Sequence, residues 1–366
     1  MTKANPFKFG SIVDEPYFTN REIELQQIKS LLLSQNHLIL ISPRRYGKTS
    51  LMLKVVKTLD RLYIFLDLQL ITDVGDFAAQ LLKRIYRIYP FERLKQLLKN
   101  FHIVPTLNIN PMNNEVDISF RPVESALPII EDVFNLIEKL GSNNKRPIII
   151  LDEFQDINRI ERELDRKLRA IIQHHKNINY VFMGSMESMM HDIFEKKKSP
   201  FYHFGQLLTL KKIPYNDFYN YLFKGFAGRC THEEIISKEI LKLTNSHPYY
   251  TQQLAFTIWE NYDDGFTPEE KICNAINSLI QIHDIDYERL WQIQNQTDKK
   301  VLIALSRHEE NILTENFNRK YGITATSTVF SSLKRLMKQG YVIKSNSNYE
   351  LDDPFFAEWI NRKRKA

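Results

Sequence analysis

The chain has 366 residues and a formal net charge of +6, with 43% hydrophobic and 26% charged residues. These values are typical of a soluble globular protein, and the length suffices for two or three domains. No apolar run approaches the ~20 residues that span a bilayer, no apolar signal core opens the chain, and Cys230 and Cys273 lack the spacing of a disulfide framework or a zinc site. We therefore expect a cytoplasmic protein without a membrane partner, and the mild charge does not by itself argue for nucleic acid.

The N-terminal segment predicts a coil followed by a helix. Residues 5–20 are punctuated by Pro, Gly and Asn. Residues 21–33 then place Ile23, Ile28 and three leucines at a spacing typical of an amphipathic helix. Asn20 is the predicted N-cap of this helix.

Residues 37–50 carry the most specific pattern in the chain. An apolar, β-prone run ends in a turn with Gly47, Lys48 and Thr49, and a good helix-forming sequence follows at once. In this order, the N–H groups of the loop and the N-terminus of the helix point at one spot, which suits a polyphosphate. Lys48 is expected to reach the β- and γ-phosphates, and the Thr49 hydroxyl is expected to ligate Mg²⁺.

This loop departs from the G-x-x-x-x-G-K-[ST] pattern at one position, because Ser42 stands where the first glycine is expected. The alternative is a chance Gly-Lys-Thr in an unrelated loop, and the predicted strand and helix on either side argue against it. The predicted phosphate-binding residues are Ser42, Pro43, Arg44, Arg45, Tyr46, Gly47, Lys48, Thr49 and Ser50.

Residues 146–155 predict the second half of the site. A short continuous apolar run, typical of a central parallel strand buried on both faces, ends in Asp152 and Glu153. In P-loop proteins such a strand delivers an aspartate beside the phosphate loop to hold Mg²⁺, here Asp152. Glu153 is the candidate to orient or deprotonate the attacking water. The alternative is that both acids only cap the next helix, from Ile157.

Two further strands fit the same sheet. Residues 179–185 are apolar and β-prone and end in Ser185, a candidate to sense the γ-phosphate. Residues 63–68 place Asp67 at the C-terminal end of a strand, where open α/β sheets bind ligands.

The segment between these strands predicts helices and a hairpin. Residues 76–100 predict one or two helices broken at Pro90, residues 103–109 and 116–120 a β-hairpin, and residues 125–140 a further helix. Strands that alternate with helices favour an α/β fold with a parallel sheet and right-handed crossovers.

After Leu210 the pattern changes to consecutive helices, which we interpret as a lid over a nucleotide. The predicted helices cover residues 214–226, 231–244, 248–261 and 268–287. Three shorter helices follow at residues 299–307, 314–321 and 326–339, and residues 341–344 and 349–351 predict a hairpin around a Ser-Asn-Ser-Asn turn. Three short helices closed by a hairpin are typical of a winged helix.

The third of these short helices has a predicted inner and outer face. The residues expected in the core are Val329, Leu333, Leu336 and Met337, and those expected outside are Ser331, Ser332, Lys334, Arg335 and Lys338. The outer face is either a recognition face whose Lys334, Arg335 and Lys338 contact DNA phosphates, or a solvated charged face on a protein-binding winged helix. The basic run at residues 362–365 either adds phosphate contacts or is a solvated tail.

Five segments in this order, residues 18–25, 42–49, 148–153, 183–185 and 247–250, resemble the archaeal-type ATPases of the STAND branch of the AAA+ superfamily. The resemblance implies a P-loop ATPase core at residues 1–212, a helical lid at residues 213–292, and a winged-helix domain with a basic tail at residues 293–366. It also implies ATP and Mg²⁺ as ligands and a nucleotide state that works as a switch.

The resemblance assigns further residues to the nucleotide. Those that match the family's Arg-Glu element beside the adenine are Asn20, Arg21 and Glu22. Pro248 matches a Gly-x-Pro element that touches the base or ribose, although Ser246 replaces the glycine. Residues 199–204 lack the arginine that relatives often carry there. The candidates to replace it are Arg159, Arg162 and Arg166.

Two functions follow from these patterns. The first is an ATP-hydrolysing molecular switch, slow in turnover, whose winged helix senses a protein or nucleic-acid signal and which forms a nucleotide-dependent oligomer. The second is a DNA-binding regulator or mobile-element factor in which ATP is only an allosteric ligand. A third reading is a nucleotide site that has lost its activity and is retained for structure.

Overall fold

The computed structural model describes residues 4–89, 94, 106–109, 116–119, 127–142, 145–262, 265–345 and 348–364. The chain forms two compact units, one made of Arg21–Lys211 and the other of Met1–Asn20 with Lys212–Ala366. We call them the core unit and the helical unit. The predicted break at Pro90, the outer parts of the first hairpin, the middle of the Ser-Asn-Ser-Asn turn and Lys365 lie outside the described residues.

The core unit contains a five-stranded parallel sheet, which confirms the predicted α/β fold. Its strands are β1 (Leu38–Ile41), β2 (Tyr63–Asp67), β5 (Ile148–Asp152), β6 (Asn179–Gly184) and β7 (Gln206–Thr209). The order across the sheet is β2-β5-β6-β1-β7, with every neighbouring pair parallel. The short edge strand β7 was not predicted, because its four residues are only partly apolar and none is fully buried. The predicted hairpin is present as β3 (Thr106–Ile109) and β4 (Val116–Ser119), paired antiparallel.

The helices of the core unit follow the strands as the alternating pattern predicts. They are α1 (Glu22–Leu33), α2 (Lys48–Thr58), α3 (Val74–Ile88), α4 (Leu127–Leu140), α5 (Ile157–Ile160), α6 (Leu164–Ile172) and α7 (Glu187–Phe194). The apolar faces of α3 to α7 pack with the sheet in one hydrophobic core. The prediction that Asn20 caps α1 is wrong: the cap position is Arg21, and the Asn20 amide donates to Asp217 in the helical unit instead.

The middle of the chain forms four helices, as predicted. They are α8 (Tyr215–Phe226), α9 (Glu233–Thr244), α10 (Pro248–Glu260) and α11 (Pro268–Gln292). Proline in the first turn suits both α10 and α11, because its missing N–H has no partner to lose there. Thr267 and Glu270 close a reciprocal capping box at the start of α11. Phe7 from the N-terminal segment is buried in the same core, with its ring 4.7 Å from that of Phe226.

The C-terminal part has the predicted winged-helix elements and one more helix. The elements are α12 (Gln296–Ser306), α13 (Glu315–Tyr321), α14 (Thr326–Gln339), β8 (Val342–Ser345), β9 (Asn348–Leu351) and α15 (Pro354–Lys363). The strands β8 and β9 pair antiparallel. One hydrophobic core runs through α8 to α15. Among the described residues, no helix is sufficiently long and apolar to cross a bilayer.

Candidate functional site

The phosphate loop joins β1 to α2 at the C-terminal edge of the sheet. Ser42 is fully buried, and its N–H donates to the carbonyl of Gly184 on the neighbouring strand at 3.3 Å. The small residue expected in place of the first glycine is therefore packed inside the sheet. Gly47 has φ +88° directly before α2, a left-handed conformation that favours glycine. This conformation turns the chain so that α2 starts at Lys48 with its N-terminus towards the loop.

Lys48 is buried inside this loop. Only 7% of the residue is exposed, and its Nζ donates to the carbonyls of Ser42 at 3.1 Å and Pro43 at 3.4 Å. Burial lowers the pKa of Lys48, an effect that the neighbouring Glu153 and Asp152 partly offset. The ammonium thus sits among neutral carbonyls with carboxylates nearby, where an anionic ligand would improve its electrostatic environment.

Thr49 and Asp152 lie side by side at the start of α2 and the end of β5. The Thr49 hydroxyl donates to Asp152 Oδ2 at 3.2 Å. A hydroxyl and a carboxylate oxygen are the protein ligands that Mg²⁺ takes when phosphates and water supply the others. Among the described residues, no group of three or more His, Cys, Asp or Glu gathers around a common point. The donor set therefore fits a magnesium ion that arrives with a polyphosphate, and does not fit an all-protein metal cage.

The two adjacent carboxylates have pKa values that are moved in opposite directions. Burial and the neighbouring Glu153 raise the pKa of Asp152 to about 6. Burial also pushes the pKa of Glu153 upward, but hydrogen bonds from Ser185 and Gln155, with Lys48 nearby, outweigh it and leave the pKa of Glu153 below its ordinary value. Adjacent carboxyl groups with separated pKa values are a common basis for different roles in one site.

Ser185 forms hydrogen bonds with the Glu153 carboxylate. Its hydroxyl donates to Glu153 Oε2 at 2.6 Å and its N–H donates to the same oxygen at 3.2 Å. Gln155, which was not predicted, donates its amide to that oxygen as well. The Gln155 side chain is buried against Gly184, where an added Cβ would lie 2.5 Å from Gln155 Oε1. The backbone of Glu153 is left-handed, with φ +51°, so this residue is held in an uncommon conformation.

Two other acidic residues lie near this site. Asp67 pairs in register with Asp152 across β2 and β5. Its side chain accepts the N–H of Gln69 at 2.9 Å and so caps the following turn. Glu187 was not predicted and is the first residue of α7. Burial raises the pKa of Glu187, and the nearby Lys48 partly offsets that rise. An acidic residue in the first turn after the Gly-Ser end of β6 was the available signal.

The predicted adenine-side residues separate into two units. Arg21 is buried in the core unit, its Nη2 lies 3.5 Å from the Tyr46 carbonyl, and its Nη1 pairs with Glu24 at 2.9 Å. Burial lowers the pKa of Arg21. Arg21 therefore contacts the phosphate loop itself, whereas Asn20 belongs to the helical unit. The other loop residues differ in exposure: Arg44 and Arg45 are exposed, Tyr46 is buried, and Ser50 is half-buried.

Pro248 is the first residue of α10 in the helical unit. It follows a turn in which Asn245 and Ser246 are both left-handed, with φ +47° and +54°. The left-handed conformation of Ser246 explains why glycine suits this position in the Gly-x-Pro element. His247 caps α10 by accepting the N–H of Tyr249 at 3.2 Å.

The candidate arginines after the acidic pair are partly engaged within the core unit. Arg159 donates to the carbonyl of Gln69 at 2.8 Å. Arg166 pairs with Glu163 at 2.9 Å. Arg162 is exposed.

The outer face of α14 differs from the prediction at two positions. Ser332 is fully buried and donates to the buried Asp298, so its predicted exposure is wrong. Arg335 donates Nε and Nη2 to the two oxygens of Asp298, at 2.8 and 2.6 Å. One edge of its planar fork is thus engaged by an internal carboxylate, while the side chain is 43% exposed. Lys334 and Lys338 are exposed as predicted.

The basic C-terminal run is also engaged internally. Arg362 pairs with Glu358 at 2.7 Å. Lys363 pairs with Asp284 and Arg364 with Glu288, both on α11. The pairs of Lys363 and Arg364 join the end of α15 to α11, so the described part of the run is not a free tail.

Comparisons with known proteins agree with this geometry. The family described as "ATPase domain predominantly from Archaea" matches residues 18–254, and a model described as "Probable winged helix domain" matches residues 285–362. An uncharacterized ATP-binding protein of Pyrococcus abyssi is 26% identical over 187 residues, which are 47% of this chain and 54% of that protein. The match thus spans about half the length of that relative.

Solved structures show the same fold. A Walker-type ATPase of Pyrococcus abyssi matches with a TM-score of 0.69 and 18% identity, covering 97% of this chain and 99% of the other. The Aeropyrum pernix ORC2 protein matches with a TM-score of 0.56 and 15% identity, covering 97% and 98%. The Aeropyrum pernix ORC1 protein, solved in complex with DNA, matches with a TM-score of 0.51 and 12% identity, covering 96% and 95%. The family model matches more than half of the residues of this chain. The chain therefore belongs to the family of ATPase domains found predominantly in Archaea.

Proposed function

We propose that this protein binds Mg-ATP at the phosphate loop and hydrolyses its terminal phosphoanhydride. The observation that carries the proposal is the grouping of five side chains at one edge of the parallel sheet. These are Lys48, Thr49, Asp152, Glu153 and Ser185. Each has the chemistry that hydrolysis of a polyphosphate requires at its position.

Each side chain has a separate task in this proposal. Lys48 exchanges its carbonyl partners for phosphate oxygens. Thr49 and Asp152 hold Mg²⁺, which would supply positive charge against the developing charge on the phosphates. Glu153 orients the attacking water and accepts its proton, for which its ionised state is suited. Ser185 fixes the Glu153 carboxylate through two hydrogen bonds to one oxygen, and the other oxygen then faces the water.

We expect slow turnover, because two of the three candidate arginines already contact Gln69 and Glu163 inside their own unit. We also propose that the nucleotide state acts as a switch. An arginine from a second copy of the chain would complete the site, which motivates the proposal of a nucleotide-dependent oligomer. The free energy for switching is the difference in ATP affinity between two conformations.

Phosphate release by the purified full-length chain tests the enzymatic proposal. We expect release from ATP that requires Mg²⁺ and is abolished by EDTA and by Lys48→Ala. Lys57→Ala, in the last turn of the same helix α2 and exposed, serves as the matched control and should hydrolyse normally. Absence of release from the parent protein, or equal release from Lys48→Ala, would reject hydrolysis at this loop.

The exposed lysines of α14 favour a second function, DNA binding through the winged helix. Lys334 and Lys338 are one helical turn apart on one exposed face. Two phosphate contacts predict a log-log salt slope of about −1.8 for duplex binding, at about −0.9 per contact. Fluorescence anisotropy at two salt concentrations should show this slope, and Lys334→Ala with Lys338→Ala should remove it. A duplex that does not bind at low salt would leave a protein partner as the function of this face.

A further inference from the structure

The wing of the winged helix, which we define as β8 and β9, is held by residues that precede it by more than a hundred positions. Glu350 on β9 accepts Lys212 Nζ at 2.6 Å, and the Asn245 amide donates to its other oxygen. The side chains of Lys212 and Glu350 are only 20% and 22% exposed. One wing carboxylate thus binds both the residue that leads into α8 and the residue that ends α9.

A second contact joins the end of the wing to the start of α10. His247 accepts the Tyr249 N–H with Nδ1, so the neutral ring carries its hydrogen on Nε2. That atom lies 3.4 Å from Asp352 Oδ1, directly after β9, a close polar contact that does not meet hydrogen-bond geometry. The His247 ring also lies 4.6 Å from the ring of Tyr250, which meets Phe355 of α15 edge-on at 5.7 Å.

The turn that makes these contacts borders open space. Asn245 ends α9 in the left-handed conformation that helix ends commonly use, and the following Ser246 is also left-handed, which a non-glycine residue adopts at an energetic cost. A cavity of about 560 Å³ is lined by this turn, by the wing, and by the segment between α12 and α13. The turn and the wing therefore border one common cavity.

We propose that Glu350 and Asp352 form a latch that couples the wing to the turn of residues 245–247, so that a change in either one is transmitted to the other. The latch has a regulatory meaning that rests on the proposed function, because the turn leads directly into Pro248, which the family resemblance assigns to the nucleotide. A shift at the start of α10 then loosens or tightens the wing and changes how the winged helix presents itself to its partner.

Hydrogen exchange of the full-length protein without nucleotide tests the latch. In the double variant Glu350→Gln with Asp352→Asn, amides of Val342–Ser345 should exchange at least about fivefold faster, and so should those of His247 and residues 249–251. Because no nucleotide is present, a failure of the ATPase proposal leaves this result unaffected. The matched control is Glu358→Gln, on a wall of the same cavity and paired with Arg362 within α15; its exchange should equal the parent's in both regions.

The second part of the experiment changes the other side of the contact, since a coupling between two sites acts equally in both directions. Lys212→Met with Asn245→Ala changes no wing residue, and it should speed exchange in Val342–Ser345 by a similar factor. The charge swap Lys212→Glu with Glu350→Lys should restore the parent rate. Faster exchange confined to the mutated region in each variant, or unchanged exchange in both, would overturn the latch.

Discussion

The phosphate loop and the outer face of α14 both carry cations that the sequence assigns to phosphate, but the partners of these cations differ. Lys48 is buried and bonds only to neutral carbonyls among the contacts described for its ammonium. Arg335 already has one edge of its guanidinium, Nε and Nη2, on a buried carboxylate. A cation is available to a ligand when the groups that it already contacts carry little negative charge. The spacing of residues in a sequence shows where a cation lies, but it does not show which groups neutralise its charge.

The largest expected effect concerns the carboxylate beside Lys48. Glu153→Gln keeps the shape of the side chain and loses the proton acceptor, so hydrolysis should fall by about 10² to 10⁴-fold while ATP binding remains. Single-turnover phosphate release and an equilibrium binding titration check the two parts separately. Hydrolysis at the parent rate would place the base at another residue.

Asp152 provides a test of how well its own buried carboxylate is compensated beside the phosphate loop. Its pKa of about 6 in the folded state lies above the ordinary value near 3.9, so its stabilising contribution is present below pH ~4 and is lost as the pH rises through 6. Asp152→Asn should therefore be about 3 kcal/mol more stable than the parent at pH 7.5 without Mg²⁺ or nucleotide, because the two pKa values differ by about 2 and one pKa unit corresponds to about 1.4 kcal/mol. Urea unfolding at pH 4 and pH 7.5 should show this difference at the higher pH only. A variant less stable than the parent at pH 7.5 would mean that the carboxylate is well compensated there.

Arg335 provides the opposite test, on the compensated side of the comparison. Arg335→Met removes two hydrogen bonds from the buried Asp298 and should destabilise the protein by about 1 to 2 kcal/mol. Lys334→Met, on the adjacent exposed position, should change stability by less than about 0.5 kcal/mol. Unfolding in urea compares the two variants. Equal stabilities would show that Arg335 is as free as its neighbour.

The elements with strong periodicity were predictable, and those that depend on long-range partners were not. The alternation of buried strands and helices predicted the parallel sheet, and the Pro-initiated helices were found within two residues at their starts. The short strand β7 has no clear pattern of its own and exists because it pairs with β1. The helix α15 was not predicted, although Asp353 and Pro354 give a normal start signal.

The same distinction holds for the site. Lys48, Thr49, Asp152 and Glu153 belong to local motifs with a fixed chemical order, so their positions were readable from the sequence. Gln155 was not predicted, because its contact with Glu153 depends on the turn after β5. Arg335 is exposed as predicted, but its pairing with Asp298 was not predicted, because Asp298 precedes it by 37 positions and no local pattern connects the two.

The most direct test of the central claim is the thermal stability of the parent protein and Lys48→Ala with Mg-ATP, with Lys57→Ala as the control. Ligand at one hundred times its dissociation constant adds about 2.7 kcal/mol, and a domain of about 150 to 250 residues shifts by about 2 to 4 °C per kcal/mol. We expect Tm to rise by about 5 to 10 °C in the parent and in Lys57→Ala, and to stay unchanged in Lys48→Ala. An equal rise in Lys48→Ala, or no rise in the parent, would contradict the assignment of the phosphate loop as the nucleotide site.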